Sequence, residues 1–233
     1  MLNLAIQINM MSMLPYWKWF WEGTLITILV SFVTVICGSI IGFLTTLAKR
    51  SKFKFLQAIC NAYISFVRGT PVLLQLYIWI YGLPGIGIKI PDYFGFRSGL
   101  YITTVLAMSI NSGAYISEIF RAGLNSVDKG QIEAARSLGL TGAQAMKFVI
   151  LPQAIKTILP SLGNEFIMMI KESSLISTVG VGEVMYQRTI IQAATYKIFE
   201  PLIIIAAIYF ILTTLLTSAL GIFERSLNKD AKN

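Results

Sequence analysis

Two uncharged apolar runs, over residues 23–47 and 202–223, constrain this chain more than any other feature. A hydrocarbon core roughly 30 Å thick is crossed by about 20 apolar residues in a helix. In that medium every backbone N–H and C=O needs a partner within the protein, which for runs of this length means helices. Three weaker segments join them. Residues 72–88 are short and interrupted by Gly82, Pro84 and Gly85, residues 99–120 carry scattered polar groups, and residues 153–170 contain Pro160 and Gly163. The expected fold is an all-α integral membrane protein, a single transmembrane domain over residues 1–233 with about five spans.

Composition agrees, with 55% apolar and 13% charged residues against about 25% charged in soluble domains. The net charge of +8 fits a membrane protein that gathers Lys and Arg at its cytoplasmic side and implies no nucleic acid. Lys49, Arg50, Lys52, Lys54 and Arg68 lie between the first two spans. Arg121, Lys129, Arg136, Lys147 and Lys156 lie at or between the facing ends of the third and fourth, and Arg225, Lys229 and Lys232 follow the fifth. The opposite side holds Lys18, Lys89, Arg97, Lys171, Arg188 and Lys197. Thirteen cations against six place the first set in the cytoplasm, the N-terminus outside and the C-terminus inside.

The first 15 residues have no Lys or Arg, which argues against a cleaved leader. Tyr16, Trp17, Trp19, Phe20 and Trp21 form an interfacial belt before the first run. Histidine is absent, which removes the commonest general base and metal ligand. Cys37 and Cys60 are too far apart in sequence to suggest a disulfide framework or a metal site. No Gly-rich phosphate loop ending in Gly-Lys-Ser/Thr occurs. No catalytic set is visible, so if ATP drives this protein another chain hydrolyses it. Gly38 and Gly42 suit close helix packing, either within the chain or across a dimer. Five spans supply too few helices for a comfortable pathway, which points to dimerisation.

The hydrophilic connector over residues 121–152 has its own helix signals. Asp128 and Gln131 resemble a capping box that starts a helix near Lys129. Ile132, Ala135 and either Leu138 or Ala134 share one side of it, and Gly139 suits the left-handed stop, with Leu140 as the hydrophobic contact. Thr141 and Gln144 form a second capping box for a helix over residues 142–150, and Pro152 breaks or redirects the chain. The result is a helix, an elbow and a second helix, which serves either as a docking element for a partner or as a self-packed cap.

Glu133, Ala134, Ala135, then Gly139, then Val149, Leu151 and Pro152 resemble the EAA loop of ABC importer permeases, with Val149 where the usual pattern has Ile. Two further blocks, Phe66, Arg68, Gly69, Thr70, Pro71 and Gln75, and Ala114, Tyr115, Glu118, Arg121 and Gly123, resemble the polar amino-acid permeases of the histidine/glutamine/arginine uptake type. The similarity spans about residues 20–224. It implies a type I importer permease fold in the cytoplasmic membrane of a prokaryote. It further implies a second permease copy or paralogue, two cytoplasmic ABC ATPase subunits that use ATP and magnesium, and an external amino-acid-binding protein. On this resemblance no cofactor is expected on this chain itself. The first helix of the loop would be the coupling element, with Gln131, Glu133, Ala134, Ala135, Ser137, Leu138 and Gly139 facing the ATPase.

Ionisable residues at membrane depth are costly and line pathways or pair internally. Glu165 falls near the middle of the fourth span, with Asn164 beside it and Ser161 one turn before. It either accepts the substrate's ammonium or cationic side chain or pairs with another protein group, and Pro160 and Gly163 are expected to loosen the helix there. Thr104, Met108, Asn111, Tyr115 and Glu118 share one face of the third span. Of these, Asn111 and Tyr115 are pathway candidates, and Glu118 is expected to pair with Arg121. Thr70 reads as the cap of the second span, Pro71 as its first residue, and Gln75 as a further pathway candidate. The alternative function is a stand-alone channel or secondary transporter for a polar solute, distinguished by gradient-driven flux without an ATPase. Sequence does not select which amino acid is carried.

Overall fold

The computed structural model describes residues 8–95 and 97–229. Lys232 and the first seven residues, which entered the orientation and leader arguments, lie outside the described residues. The described chain is helical throughout, with no strand among these residues. After a 3-10 turn over Met10–Tyr16, α1 spans Trp17–Lys49, α2 Lys54–Gly69 and α3 Val72–Tyr77. A π-turn at Ile78–Gly82 leads into the short α4, Leu83–Gly85. Then come α5 (Ser98–Asn125), α6 (Lys129–Ser137), α7 (Gly142–Ala145), a π-turn at Met146–Ile150 and α8 (Leu151–Glu172). A 3-10 segment at Ser173–Val179, α9 (Val184–Thr195) and α10 (Phe199–Lys229) complete the chain.

The helices from Met10 to Lys49 and from Phe199 to Leu227 are long and apolar enough to cross a membrane, and the shorter Val72–Gly85 segment is apolar. α5 and α8 carry enough polar residues to fall below that apolar standard, although at 1.5 Å per residue they extend roughly 40 and 33 Å.

The centre of the fold is α1 against α5. The buried face of α1 is a stripe of small residues, Gly23, Thr27, Ser31, Thr34, Gly38, Gly42 and Thr46, at helical spacing. A Cβ at Gly42 would stand 2.9 Å from both Gly113 O and Ser117 N, so only glycine allows the two backbones this close. Gly38 faces Ser112 in the same way. The glycine pair therefore serves packing within the chain. Position numbers rise together along this contact, from Gly38 beside Ser112 to Thr46, whose hydroxyl donates to Ser117 O at 3.1 Å. The two helices run parallel, and the return between them is made by α2 to α4. α8 runs against α5, with Ile158 over Gly123 and Glu165 beside Ser112. α10 runs against α8, with Leu220 over Gly163 and Tyr209 near Ser174.

A buried carboxylate ties the other end of the bundle. Glu183 caps α9 by accepting from Tyr186 N at 2.8 Å, and also accepts from Tyr209 Oη at 2.9 Å and Thr27 Oγ1 at 3.3 Å. It thus joins α1, α9 and α10 in one node.

Several expectations change. α2 and α9 were not anticipated, because neither shows a long apolar run. The second span is broken by its π-turn and its helix ends at Gly85 rather than at residue 88. Pro71, with φ −62° and ψ 137°, is the extended residue before α3, and Val72 is the first helical residue. Thr70 instead turns its hydroxyl back to Phe66 O at 2.8 Å. Pro152 does not break the chain. It sits in the first turn of α8 directly after the π-turn at Met146–Ile150, which takes up the missing donor, and the helical path is continuous from Gly142 to Glu172. Pro160 and Gly163 likewise leave α8 intact.

Candidate functional site

α5 places two adjacent polar side chains, about 100° apart around the helix, against two different neighbours. Asn111 donates to Gln75 Oε1 of α3 at 2.9 Å, and Ser112 donates to Glu165 Oε1 of α8 at 2.7 Å. Gln75 is held in turn by Val67 O at 2.8 Å and Thr70 Oγ1 at 2.8 Å. A polar layer thus crosses the bundle through α3, α5 and α8. All four side chains are buried, where an unpaired polar group costs several times what a paired one gains. One acceptor, Asn111 Oδ1, has no partner within the described residues.

The layer opens at Glu165. Glu165 lines a cleft of about 380 Å³ with Ser161, Asn164, Pro160, Ile119 and Glu224. Asn164 is exposed and Ser161 half-buried, and Ser161 spends its proton on Thr157 O at 3.0 Å. Two carboxylates and two neutral polar groups suit a cationic ligand group. Gln75 and Asn111 face each other and not this cleft. Tyr115 is partly exposed, with the Arg68 guanidinium 5.5 Å from its ring centre, a cation–π distance.

The connector has the expected helix–elbow–helix form. Gly139, at φ +85°, is the left-handed stop. Leu140 N donates to Ala135 O and Gly139 N to Arg136 O, at 3.1 and 3.0 Å, the paired closure of a Schellman end. Thr141 and Gln144 make the reciprocal capping box. Asp128 is a simple cap, accepting from Gly130 N at 2.7 Å, without the return bond from Gln131 that a box requires. Gln131, Glu133, Ala134, Ser137, Leu138 and Gly139 are exposed, and Leu138 is 84% accessible. Ala135 is buried, and Ile132, three residues before it on the same helix, packs against the cluster of Val127, Ile150, Ala154 and Ile158. Ala135 therefore faces the body of the protein.

Near the connector, Glu118 accepts from Arg121 at 2.7 Å and also meets Lys49 Nζ of α1 at 3.2 Å. Sequence foresaw the first pair but not the second. It also missed Ser112, whose role follows only from the neighbour it faces, and Glu224, which one reads as part of a charged tail. A larger cleft of about 590 Å³ lies at the opposite end of the bundle. It is lined by Trp79, Tyr81, Lys89, Asp92 and Arg97 among others, and no motif announced it.

Comparison with known proteins places this geometry in context. The putative glutamine transport system permease protein of Rickettsia bellii is 43% identical over 206 residues, covering 88% of this chain and 91% of its own. The arginine transport system permease protein of Bacillus subtilis is 40% identical over 97% of this chain and all of its own. A crystal structure of an amino acid ABC transporter with histidines contains a chain that superposes with TM-score 0.89 at 45% identity, covering 95% of this chain and all of that one. An inward-facing methionine ABC transporter shares the fold alone, with TM-score 0.71 at 19% identity. Residues 35–229 match the family described as binding-protein-dependent transport system inner membrane component, and the chain belongs to that family.

Proposed function

We propose that this chain is the membrane-spanning subunit of an ATP-driven importer that carries a polar, cationic amino acid into the cytoplasm. Support for the amino-acid class comes from relatives named for glutamine and arginine transport, whose length the chain matches nearly in full. The observation that carries the substrate site is Glu165, buried, hydrogen-bonded to Ser112 and open to the cleft shared with Ser161, Asn164 and Glu224. A carboxylate so placed receives an ammonium or guanidinium group and loses little by giving up water, because burial has already removed most of it.

In this reading α1, the α2–α4 return, α5, α8 and α10 make five crossings. The fourteen residues 72–85 reach only about 21 Å, so α2 completes the second. The basic end with α6 and α7 faces the cytoplasm. The exposed face of α6, with Gln131, Glu133, Ala134, Ser137 and Leu138, docks on an ATPase subunit, and Gly139 fixes the elbow while Ala135 anchors α6 from behind. ATP and magnesium belong to two such ATPase subunits. A second copy or a paralogue completes the pathway, and an external binding protein delivers the amino acid.

The test is Glu165→Gln in the transporter reconstituted with its ATPase and binding protein. Uptake of a cationic amino acid should fall about 10- to 100-fold, the worth of one charge-assisted hydrogen bond. ATPase co-purification should be unchanged. Unaltered affinity and rate would remove Glu165 from the site.

A further inference from the structure

We propose that the turn from α1 to α2 is a binding site for the phosphate headgroup of an anionic phospholipid, with α2 lying against the acyl chains of that leaflet. No Asp or Glu occurs between Glu22 and Asp92, yet Lys49, Arg50, Lys52 and Lys54 fall within six residues. Lys49 is engaged by Glu118. The side chains of Arg50, Lys52 and Lys54 make no hydrogen bond or ion pair among the described residues. Lys49 and Arg50 line a cleft of about 170 Å³ together with Arg121, Thr46, Ser117 and Asn125. Glu118 pairs with both Lys49 and Arg121, so a single carboxylate faces three cations and the cleft remains cationic, with Arg50 unpaired.

α2 supplies the second half of the site. Its inner seam is Cys60, Ile64 and Val67. A separate apolar stripe, Phe55, Ile59, Ala62 and Phe66, recurs at 4, 3 and 4 residues on a different face. Phe55 is 79% exposed, Ile59 50% and Phe66 59%. A helix that starts in cations and carries a free apolar stripe into the crossing sets the charges at headgroup level and the rings among the acyl chains. The charge argues against a second copy as the occupant. A two-fold contact through this stripe would bring two cationic turns together with no acidic residue on either to pair them. The stripe argues against a soluble phosphate, which offers it nothing.

The assignment to the cytoplasmic leaflet rests on the orientation proposed above, whereas lipid binding does not. The test is therefore equilibrium binding and not transport. The assembled transporter, purified in detergent, is titrated with phosphatidylglycerol and with phosphatidylcholine. Wild-type protein should prefer phosphatidylglycerol. The combined Arg50→Gln, Lys52→Gln and Lys54→Gln variant should lose that preference by roughly 100-fold at low salt, since each cation near a charged surface contributes about a factor of five. Should the triple variant fail to assemble, Lys52→Gln alone should weaken binding about fivefold. Equal affinity for the two lipids, or an unchanged preference in the variants, would overturn the proposal. Displacement of phosphatidylglycerol by millimolar inorganic phosphate would overturn it too, marking a simple anion site. Efficient disulfide cross-linking between copies through Ile59→Cys, in a Cys60→Ser background, would reassign the stripe to a subunit interface.

Discussion

The polar layer in the bundle and the elbow of the connector solve opposite problems. In the layer, side chains satisfy side chains across helices, as Gln75 with Asn111 and Ser112 with Glu165, with the Val67 carbonyl completing Gln75. In the elbow, backbone and caps do the work through Gly139, Thr141 and Gln144, and the remaining side chains are left for other uses. A fault in the layer should therefore damage the whole protein, and a fault in the elbow only what the elbow touches.

The sharpest break is Asn111→Leu. It strips Gln75 Oε1 of its donor in an apolar surrounding, at a cost of about 1–3 kcal/mol. The thermal midpoint of the purified complex should drop by several degrees, and uptake should fall with it. Replacing both partners, Gln75→Leu with Asn111→Leu, should recover part of the loss, since two apolar groups leave nothing unpaired. A simple sum of the two single effects in calorimetry would show that the pair is not coupled.

Gly139→Val comes next. A β-branched residue at φ +85° carries roughly 1–2 kcal/mol of strain, confined to the elbow. Pull-down of the ATPase should fall several-fold while the midpoint stays within about a degree. A midpoint drop as large as that of Asn111→Leu would erase the distinction between the two regions. Thr141→Ala removes one half of a capping box, worth about 1 kcal/mol, and should halve co-purification without touching the fold. The smallest effect is expected from Gln131→Ala. Its side chain makes no return bond to the cap, so stability should not change, and any loss of ATPase activation in a coupled assay would come from docking alone.

The same contrast explains what was legible in the sequence. The elbow was readable because its signals are local: a glycine at the stop, a Thr three residues before a Gln. The two long apolar helices were readable because length and composition suffice. The layer was legible only in part. Glu165 and Asn111 stood out as polar groups at depth, but their partners were set by which helix lies alongside, and the parallel register of α1 and α5 is a property of Gly42, Gly113 and Ser117 meeting in space. α2 escaped notice because it is a short amphipathic helix whose polar residues interrupt any long apolar run. Pro152 misled because a proline in the first turn of one helix can follow directly on another when a π-turn absorbs the mismatch.

That absorbed mismatch has a mechanical consequence. From Gly142 to Glu172 the backbone is one uninterrupted helical strut, and about 35 Å of it separates the elbow from Glu165. A hydrogen-bonded rod of this kind is stiff along its axis, so an axial push delivered at Thr141 arrives at the carboxylate with little lost to compression on the way. The π-turn at Met146–Ile150 is where such a strut would twist.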